Sequence, residues 1–511
     1  MNGIRKSKLD KDCQVKYGIL LSYLLIILNA LYGLFATPYI LRSIGDSEYG
    51  VYKTLTALTS SIMVLDLGLG GTVMRYTAKY RAENDEKSIS NFVAMSIIQA
   101  LLVCACVGIV CVFAYRSLDK LYGKTFTADE MTRAKQLFSV LTISIMVHVI
   151  ENVFNGVVTG YNHFLFGNGI KVARLTLRIA LIYVLLIIIP NSMTITIIDL
   201  FLSVTLLFGE IWYVIRKLGV EIKLGKWNNY LFIESGKYSV LMFLTSIAVQ
   251  TNNNLDNVFI GALCGTESVT VYSFGLVLFG MFEQLSTSIS GVMLPTVSNL
   301  LVESDGMLKA RKLIVRVGRI QFMLLGAVFV GFIVLGRDFL NIWLGEGFED
   351  VYLITVTLMG PALFELCVNV CLTILRAKNM LTFRTIVLLI STVLNAILTY
   401  FAITQWSYVG AAFGTAVSFI IGSLLIMNVY YQRKLGLNII GIYSSIFSRT
   451  WVCLVVAGVS LYLFHSFLYG NMVTLVACVA IFIAIYCICL WCYGFNCDEK
   501  LYFKHGGKKD D

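Results

Sequence analysis

The stretch Asn91–Tyr115, NFVAMSIIQALLVCACVGIVCVFAY, runs for 25 residues without a charged side chain. A helix needs about 20 apolar residues to cross the hydrocarbon core of a bilayer, so this stretch predicts a membrane-spanning helix. The rest of the chain has the same character, because 58% of its 511 residues are hydrophobic and only 14% are charged. Soluble proteins carry roughly 25% charged residues. The composition therefore predicts an integral membrane protein.

Comparable apolar segments recur along the whole chain. The sequence predicts an all-α polytopic membrane protein with about 14 transmembrane helices. They lie at about 17–41, 50–74, 89–115, 136–160, 164–189, 193–215, 238–262, 267–298, 310–335, 351–376, 382–404, 409–431, 443–466 and 471–493.

The distribution of Lys and Arg predicts the orientation of these helices. With a cytoplasmic N-terminus, the inner segments hold 29 Lys and Arg and the outer segments hold 8. Positive residues are enriched on the cytoplasmic side of membranes, so both termini are expected there, as the tails 1–16 and 494–511. The net charge of +10 then reflects loops beside an anionic leaflet and gives no reason to expect nucleic-acid binding.

An internal repeat indicates two similar halves. At a shift of 220 residues, Ile44–Tyr52 (IGDSEYGVY) lies over Cys264–Tyr272 (CGTESVTVY), which aligns Gly45 with Gly265. Transporters often consist of such repeats. We expect two pseudo-symmetric six-helix lobes, at 17–216 and 238–431, joined by a cytoplasmic linker at 217–237. The two C-terminal helices, within 432–493, lie outside the repeat.

Three cations share one face of the fifth predicted helix. Lys171, Arg174 and Arg178 follow one another at i, i+3 and i+7. Pro190 ends this helix, and 12 residues at 1.5 Å each place Arg178 about 18 Å inward. A guanidinium offers planar donors to a phosphate or an acidic sugar, so these residues predict an anion-binding site. The alternative is that Lys171 and Arg174 extend to the cytoplasmic surface.

Ionisable side chains also occur elsewhere within predicted helices, where each is costly to bury. His148 and Glu151 lie three residues apart on the fourth helix and could exchange a proton near neutral pH. Alternatively, the pair is hydrogen-bonded to its neighbours, or Glu151 neutralises Arg178 across the helix interface. Asp199 and Glu210, in the sixth helix, lie towards its two ends and are expected to be solvated.

The second half contributes further polar candidates. The run QTNNNLDN at 250–257, with Asn253 and Asp256, is too polar for a lipid-facing helix and predicts either a cavity wall or a polar contact between helices. Glu283 lies in the eighth helix, and Glu365 and Asn369 form an i, i+4 pair in the tenth. These acids could balance the cations of the first half or bind a coupling ion.

Motifs of enzymes and cofactor sites are missing. The sequence has no G-x-x-x-x-G-K-[ST], no H-E-x-x-H and no G-x-S-x-G motif. Cys489 and Cys492 form a C-x-x-C motif without a second ligand pair. We therefore predict that the protein is not an enzyme and that it holds no cofactor and no metal.

Several motifs resemble those of a known family. They are PYILRSIGDSEYGVY (Pro38–Tyr52), LDLGLGGTVMRY (Leu65–Tyr76), LDNVFIG (Leu255–Gly261) and WLGEGF (Trp343–Phe348). Together with the fourteen predicted helices, they resemble the polysaccharide biosynthesis flippases of the multidrug/oligosaccharidyl-lipid/polysaccharide exporter superfamily.

The resemblance implies a function as well as a fold. It implies two lobes around a central cavity in a bacterial cytoplasmic membrane, and alternating access that carries an undecaprenyl-pyrophosphate-linked oligosaccharide from the inner to the outer leaflet. It implies H+ or Na+ as a candidate coupling ion and polysaccharide polymerase machinery as a candidate partner. The alternative is a cation-coupled multidrug exporter. An acid-lined cavity would favour organic cations, whereas the basic residues of the fifth helix favour an anionic lipid headgroup.

Overall fold

The structure is a computed structural model that describes residues 17, 20–63, 68–225, 233, 254–290, 293–301, 303, 305–378, 380–465 and 472–496. This part of the chain forms helices joined by short turns, without strands. Asn253, the tail 1–16, most of the linker 217–237 and residues 497–511 lie outside the described residues. The described part divides into two compact units, Met1–Ser273 and Phe274–Asp511.

The first unit contains helices α1 to α8 and the beginning of α9. Their bounds are α1 Leu20–Ile44, α2 Asp46–Met63, α3 Leu69–Ala82, α4 Glu86–Tyr122, α5 Ala128–Gly160, α6 Phe164–Ile188, α7 Ser192–Arg216, α8 254–263 and α9 Thr266–Ser290. Helix α1 contains one π-helical stretch, Tyr32–Ala36.

The second unit contains the remainder of α9 and helices α10 to α17. Their bounds are α10 Leu294–Leu300, α11 Gly306–Trp343, α12 Asp350–Cys367, α13 Val370–Ala377, α14 Thr382–Leu435, α15 Ile439–Phe447, α16 Thr450–His465 and α17 Met472–Gly494.

Within the described residues, nine helices are long and apolar enough to cross a membrane, or ten if the bent pair α15 and α16 counts as one span. Helix α6 has a comparable length of 25 residues but carries the three cations. The all-α polytopic membrane fold is confirmed, whereas the number of fourteen spans stays a prediction.

The long helix α14 is a hairpin of two antiparallel halves. The backbone leaves helical geometry at Trp406 and Ser407, where φ of Ser407 is 54°. A Cβ on Gly414 would lie 2.7 Å from the backbone nitrogen of Thr399, so the second half returns along the first. The two halves correspond to the segments predicted at 382–404 and 409–431.

Helix α5 is central to the first unit. It begins with a capping box, in which Thr127 and Glu130 each satisfy a backbone N–H of the other. It packs against α2, α3, α4, α6 and α7. Its contact with α3 is close, because a Cβ on Gly156 would lie only 2.6 Å from the carbonyl oxygen of Gly70. Glycine at this position allows the two backbones to approach.

The aligned glycines of the repeat occupy equivalent turns. Gly45 connects α1 to α2 with φ of 81°, and Gly265 connects α8 to α9 with φ of 91°. The two turns also contact each other, because the Thr270 hydroxyl donates to the Asp46 carbonyl at 2.7 Å. A Cβ on Gly50 would lie 2.0 Å from the carbonyl oxygen of Thr266. The shift of 220 residues aligns Asp46 with Thr266 and Gly50 with Thr270. Each of these two contacts therefore corresponds to the other, as expected for parallel repeats.

Helix α11 is central to the second unit and packs against α12, α15, α16 and α17. Arg319 of α11 is 2% exposed. Its guanidinium donates to the carbonyl oxygens of Ser445, Ser448 and Gly494 at 3.2, 3.1 and 2.8 Å. A buried cation thus supplies donors to carbonyl groups where α15 and α17 end.

Candidate functional site

An ion pair joins α6 to α7 deep within the first unit. The two helices are antiparallel neighbours around the turn at Pro190, which brings Arg178 and Asp199 to the same depth. Arg178 Nε donates to Asp199 Oδ1 at 2.5 Å, and its NH2 group donates to Oδ2 at 2.9 Å. The side chains are 20% and 24% exposed. Two parallel bonds of this kind fix the orientation of the guanidinium.

Aromatic rings surround the same guanidinium. Its Cζ lies 4.7 Å from the ring centroid of Tyr32, at the start of the π-helical stretch of α1. This is a cation–π distance. Arg178 also interacts electrostatically with the hydroxyl of Tyr52 on α2. Helices α1, α2, α6 and α7 therefore all contribute to one polar cluster.

A second cation, Lys53 of α2, belongs to this cluster. Its ammonium lies 5.3 Å from the ring centroid of Tyr49, one turn earlier on α2, and it is close enough to Arg178 for their charges to interact. The side chain is half-buried, and it has no carboxylate partner among the residues that the structure describes. We define the cation–tyrosine cluster as Tyr32, Tyr49, Tyr52, Lys53, Arg178 and Asp199.

Sequence reasoning found one member of this cluster and missed the others. The depth of Arg178 within its helix indicates that residue, whereas the sequence pattern does not single out Lys53 and predicts a solvated Asp199. A signal existed for Lys53, since Tyr49 and Lys53 stand at i and i+4 at the start of a helix. Asp199 is separated from Arg178 by 21 residues, so no local pattern links them.

The other two cations of α6 lie outside the cluster. Arg174 donates to the Ser203 hydroxyl on α7 at 2.8 Å. Lys171 is exposed. The cations thus share one helix, but only Arg178 joins the tyrosines.

The acidic residues of α5 and α7 form a separate group. His148 Nδ1 lies 3.3 Å from Glu151 Oε2, and Glu151 is 4% exposed. Asn155, one turn further along α5, donates to Glu210 Oε1 at 2.8 Å. Glu210 is completely buried, at 0% exposure. The expectation that Glu210 is solvated is therefore wrong, because its helix turns this side chain towards α5. Arg178 is neutralised by Asp199, not by Glu151.

A cavity of about 320 Å³ lies beside this acidic group, between α3 and α5. Gly68, Gly70, Gly71 and Gly156 form part of its wall. The polar part of the wall includes Asn152, Asn155 and Thr159, which lie on one face of α5. Asn155 therefore faces both the cavity and Glu210.

The remaining predicted polar residues are distributed over both units. In the first unit, Asp256 is 3% exposed and accepts a hydrogen bond from the Tyr272 hydroxyl at 2.6 Å, which is a polar contact between α8 and α9. In the second unit, Glu283 and Glu365 are half-buried and close enough to interact electrostatically. Asn369 donates to the Ser290 hydroxyl at 3.2 Å. Asn253 lies outside the described residues.

The chain is similar to several known proteins. A family model described as polysaccharide biosynthesis protein matches residues 15–301. The chain is 28% identical over 176 residues to "Probable flippase AglR" of Haloferax volcanii, an alignment that covers 34% of this chain and 36% of that protein. It is 21% identical over 425 residues to "Putative O-antigen transporter" of Salmonella typhi, covering 81% of this chain and 95% of that protein.

A solved structure has a similar fold. The lipid II flippase MurJ, in an inward closed conformation, superposes with a TM-score of 0.71 at 16% sequence identity. The superposition covers 92% of this chain and 97% of that chain. At this level of identity the likeness concerns the fold alone.

Proposed function

Because this chain belongs to the polysaccharide biosynthesis protein family, we propose that it is a flippase for a polyprenyl-pyrophosphate-linked oligosaccharide. It moves this lipid from the inner to the outer leaflet of a bacterial cytoplasmic membrane by alternating access, without changing it chemically. Polysaccharide polymerase machinery would then consume the glycan on the outer face. Both termini of the flippase are cytoplasmic in this proposal.

The observation that carries the proposal is the cation–tyrosine cluster. Charged groups within membrane helices are rare, and they usually face a water-filled cavity or a substrate path. Lys53 has no carboxylate partner in the described part of the chain, so the cluster contains two cations and one acid. The excess positive charge attracts an anion, and pyrophosphate is the most highly charged part of the proposed substrate.

Asp199 adjusts how strongly this anion is held. Asp199 supplies a counter-charge for Arg178 through two hydrogen bonds. A pyrophosphate oxygen competes with that carboxylate for the same donors. A transporter must release what it binds, so moderate affinity is an advantage. The tyrosine rings offer apolar faces to the sugar next to the pyrophosphate.

The decisive experiment measures the leaflet distribution of polyprenyl-pyrophosphate-linked glycans with an impermeant sugar-modifying reagent, in cells with and without this protein. We expect glycans to accumulate on the inner face without it. Wild-type protein and Lys171→Ala should both restore outer-face labelling, because Lys171 is exposed outside the cluster. Arg178→Ala and Lys53→Ala should restore it at least tenfold less well.

Two results would contradict the proposal. If glycan labelling does not depend on the protein, the flippase function is wrong, and accumulation of cationic drugs becomes the next assay. If Arg178→Ala and Lys53→Ala both transport like the wild type at equal membrane abundance, the cluster is not the anion site.

A further inference from the structure

Glu210 of α7 is a fully buried ionisable residue outside the cation–tyrosine cluster. Its side chain has no solvent exposure. Oε1 accepts a hydrogen bond from Asn155 Nδ2 at 2.8 Å, whereas Oε2 is buried and has no hydrogen-bond partner among the described residues. A buried carboxylate normally uses both oxygens in hydrogen bonds or pairs with a cation.

The charges that face Glu210 do not compensate a negative charge on it. From α5 it faces Glu151, which is itself 4% exposed and has the same sign of charge. From α6 the charge that acts on it is that of Lys171, whose side chain is exposed and forms no ion pair with Glu210 in the described part of the chain. His148 contacts Glu151 and completes this group of ionisable residues. Glu210 is therefore a buried carboxyl with one oxygen held by Asn155, one oxygen without a hydrogen-bond partner among the described residues, and a second acid beside it.

Polar side chains along α5 lead from the position of Glu210 to the end of α5 at Gly160. His148, Glu151, Asn155 and Thr159 follow one another along a single face of α5. From His148 to Gly160, where α5 ends, the rise is about 18 Å. This end is the one that the positive-inside pattern assigns to the cytoplasm.

The same end offers further groups that can pass a proton. Tyr213 lies one turn beyond Glu210 on α7, and its hydroxyl is 2.7 Å from Nδ1 of His163, in the turn after α5. The cavity between α3 and α5 brings Asn155 and Thr159 into one space that is large enough for several water molecules.

We propose that Glu210 is the proton-carrying residue of this transporter, loaded in the conformation seen here. In the unloading step, water enters from the cavity, the O–H bond of Glu210 breaks, and the proton passes to that water towards the end of α5. The electron pair stays on the carboxylate, which keeps its hydrogen bond from Asn155. This inference rests on the proposed function, because the inward movement of a proton would drive the outward movement of the lipid-linked glycan.

The first test needs no substrate. The purified full-length protein is titrated with pH while infrared difference spectra are recorded in the region of the carboxylic-acid carbonyl stretch. We expect the wild type and Glu210→Asp to show a titrating band, Glu210→Gln to lack it, and the control Glu151→Gln to retain it. Glu210→Gln keeps the shape of the side chain and the acceptor for Asn155, so the fold is preserved.

The second test links the proton to transport. In the leaflet assay, a protonophore should reduce outer-face glycan labelling by wild type at least fivefold, and a sodium ionophore should not. Glu210→Gln should transport at the low rate that the wild type shows with the protonophore, and the protonophore should not lower this rate further. Glu210→Asp should recover part of the response to the protonophore.

The outcomes separate this inference from the proposed function. A band that persists in Glu210→Gln, or transport by that variant with full protonophore sensitivity, would overturn the inference and leave the flippase function intact. Transport that follows the sodium gradient would overturn it as well. If glycan labelling is the same with and without the protein while the infrared band of Glu210 is present, the flippase function is wrong. In that case Glu210 is still a residue that binds and releases a proton.

Discussion

Asp199 holds the guanidinium of Arg178 with both of its carboxylate oxygens, at 2.5 and 2.9 Å, across the interface between two membrane helices. The pair explains how a permanently charged residue is accommodated at this depth. It also leaves Lys53 as the cation of the cluster without a carboxylate partner in the described part of the chain. The cluster therefore has an excess of positive charge, although Arg178 is paired with Asp199.

Removal of Asp199 should destabilise the protein through the charge that it leaves behind. Asp199→Ala leaves the Arg178 guanidinium without its partner in a site that is about one-fifth exposed. We expect a loss of about 2 kcal/mol, between the values typical of exposed and fully buried pairs. Thermal unfolding of the purified variant measures it. The double variant Asp199→Ala/Arg178→Met should recover most of the loss, and a double variant as unstable as the sum of both single variants would show that the pair is not coupled.

The close contact between α3 and α5 predicts a strong effect of one methyl group. Gly156→Ala places a Cβ 2.6 Å from the Gly70 carbonyl oxygen, which forces the helices apart. We expect destabilisation of about 1–3 kcal/mol, as for overpacked cores. Gly71→Ala is the matched control, because a Cβ there meets nothing within 4 Å and alanine favours a helix. Equal melting temperatures of the two variants would contradict the close packing.

Arg319 should contribute to the second unit through its buried hydrogen bonds. Arg319→Met keeps an apolar stem but leaves the carbonyl groups of Ser445, Ser448 and Gly494 without this donor. Unsatisfied buried groups cost about 1–3 kcal/mol each, so we expect a total loss of at least about 3 kcal/mol. Lys312→Met, on an exposed position of the same helix, should change the melting temperature little. A lower melting temperature for Lys312→Met than for Arg319→Met would exclude a structural role for Arg319.

The start of α4 should depend on pH. Asp85 caps this helix, and hydrogen bonds from the hydroxyl and the backbone N–H of Ser88 lower the pKa of its carboxyl. A carboxyl with a lowered pKa stabilises the folded state above its unfolded pKa, and this contribution is lost as pH falls through the folded pKa. Hydrogen exchange of the first amides of α4 should therefore accelerate, relative to Asp85→Asn, when the solution is acidified. An unchanged ratio between the two proteins would contradict this capping role.

The internal repeat shows which structural features can be predicted from local sequence. The alignment of Gly45 with Gly265 comes from the sequence, and in the structure both residues lie in turns with a positive φ that favours glycine. The hairpin within α14 was likewise predictable from two apolar runs separated by a short polar interval. These features depend on the local chain, where hydrophobicity and backbone conformation act directly.

The sequence by itself determined the membrane class, the segments that form helices and the common face of Lys171, Arg174 and Arg178. Apolar length and the helical period define these properties within each helix. Only the tertiary structure decided that Arg178 meets Asp199, that Lys53 joins them, and that Glu210 turns inward to Asn155. Those contacts depend on how each helix is rotated about its axis against its neighbours, which is decided by close packing over the whole interface.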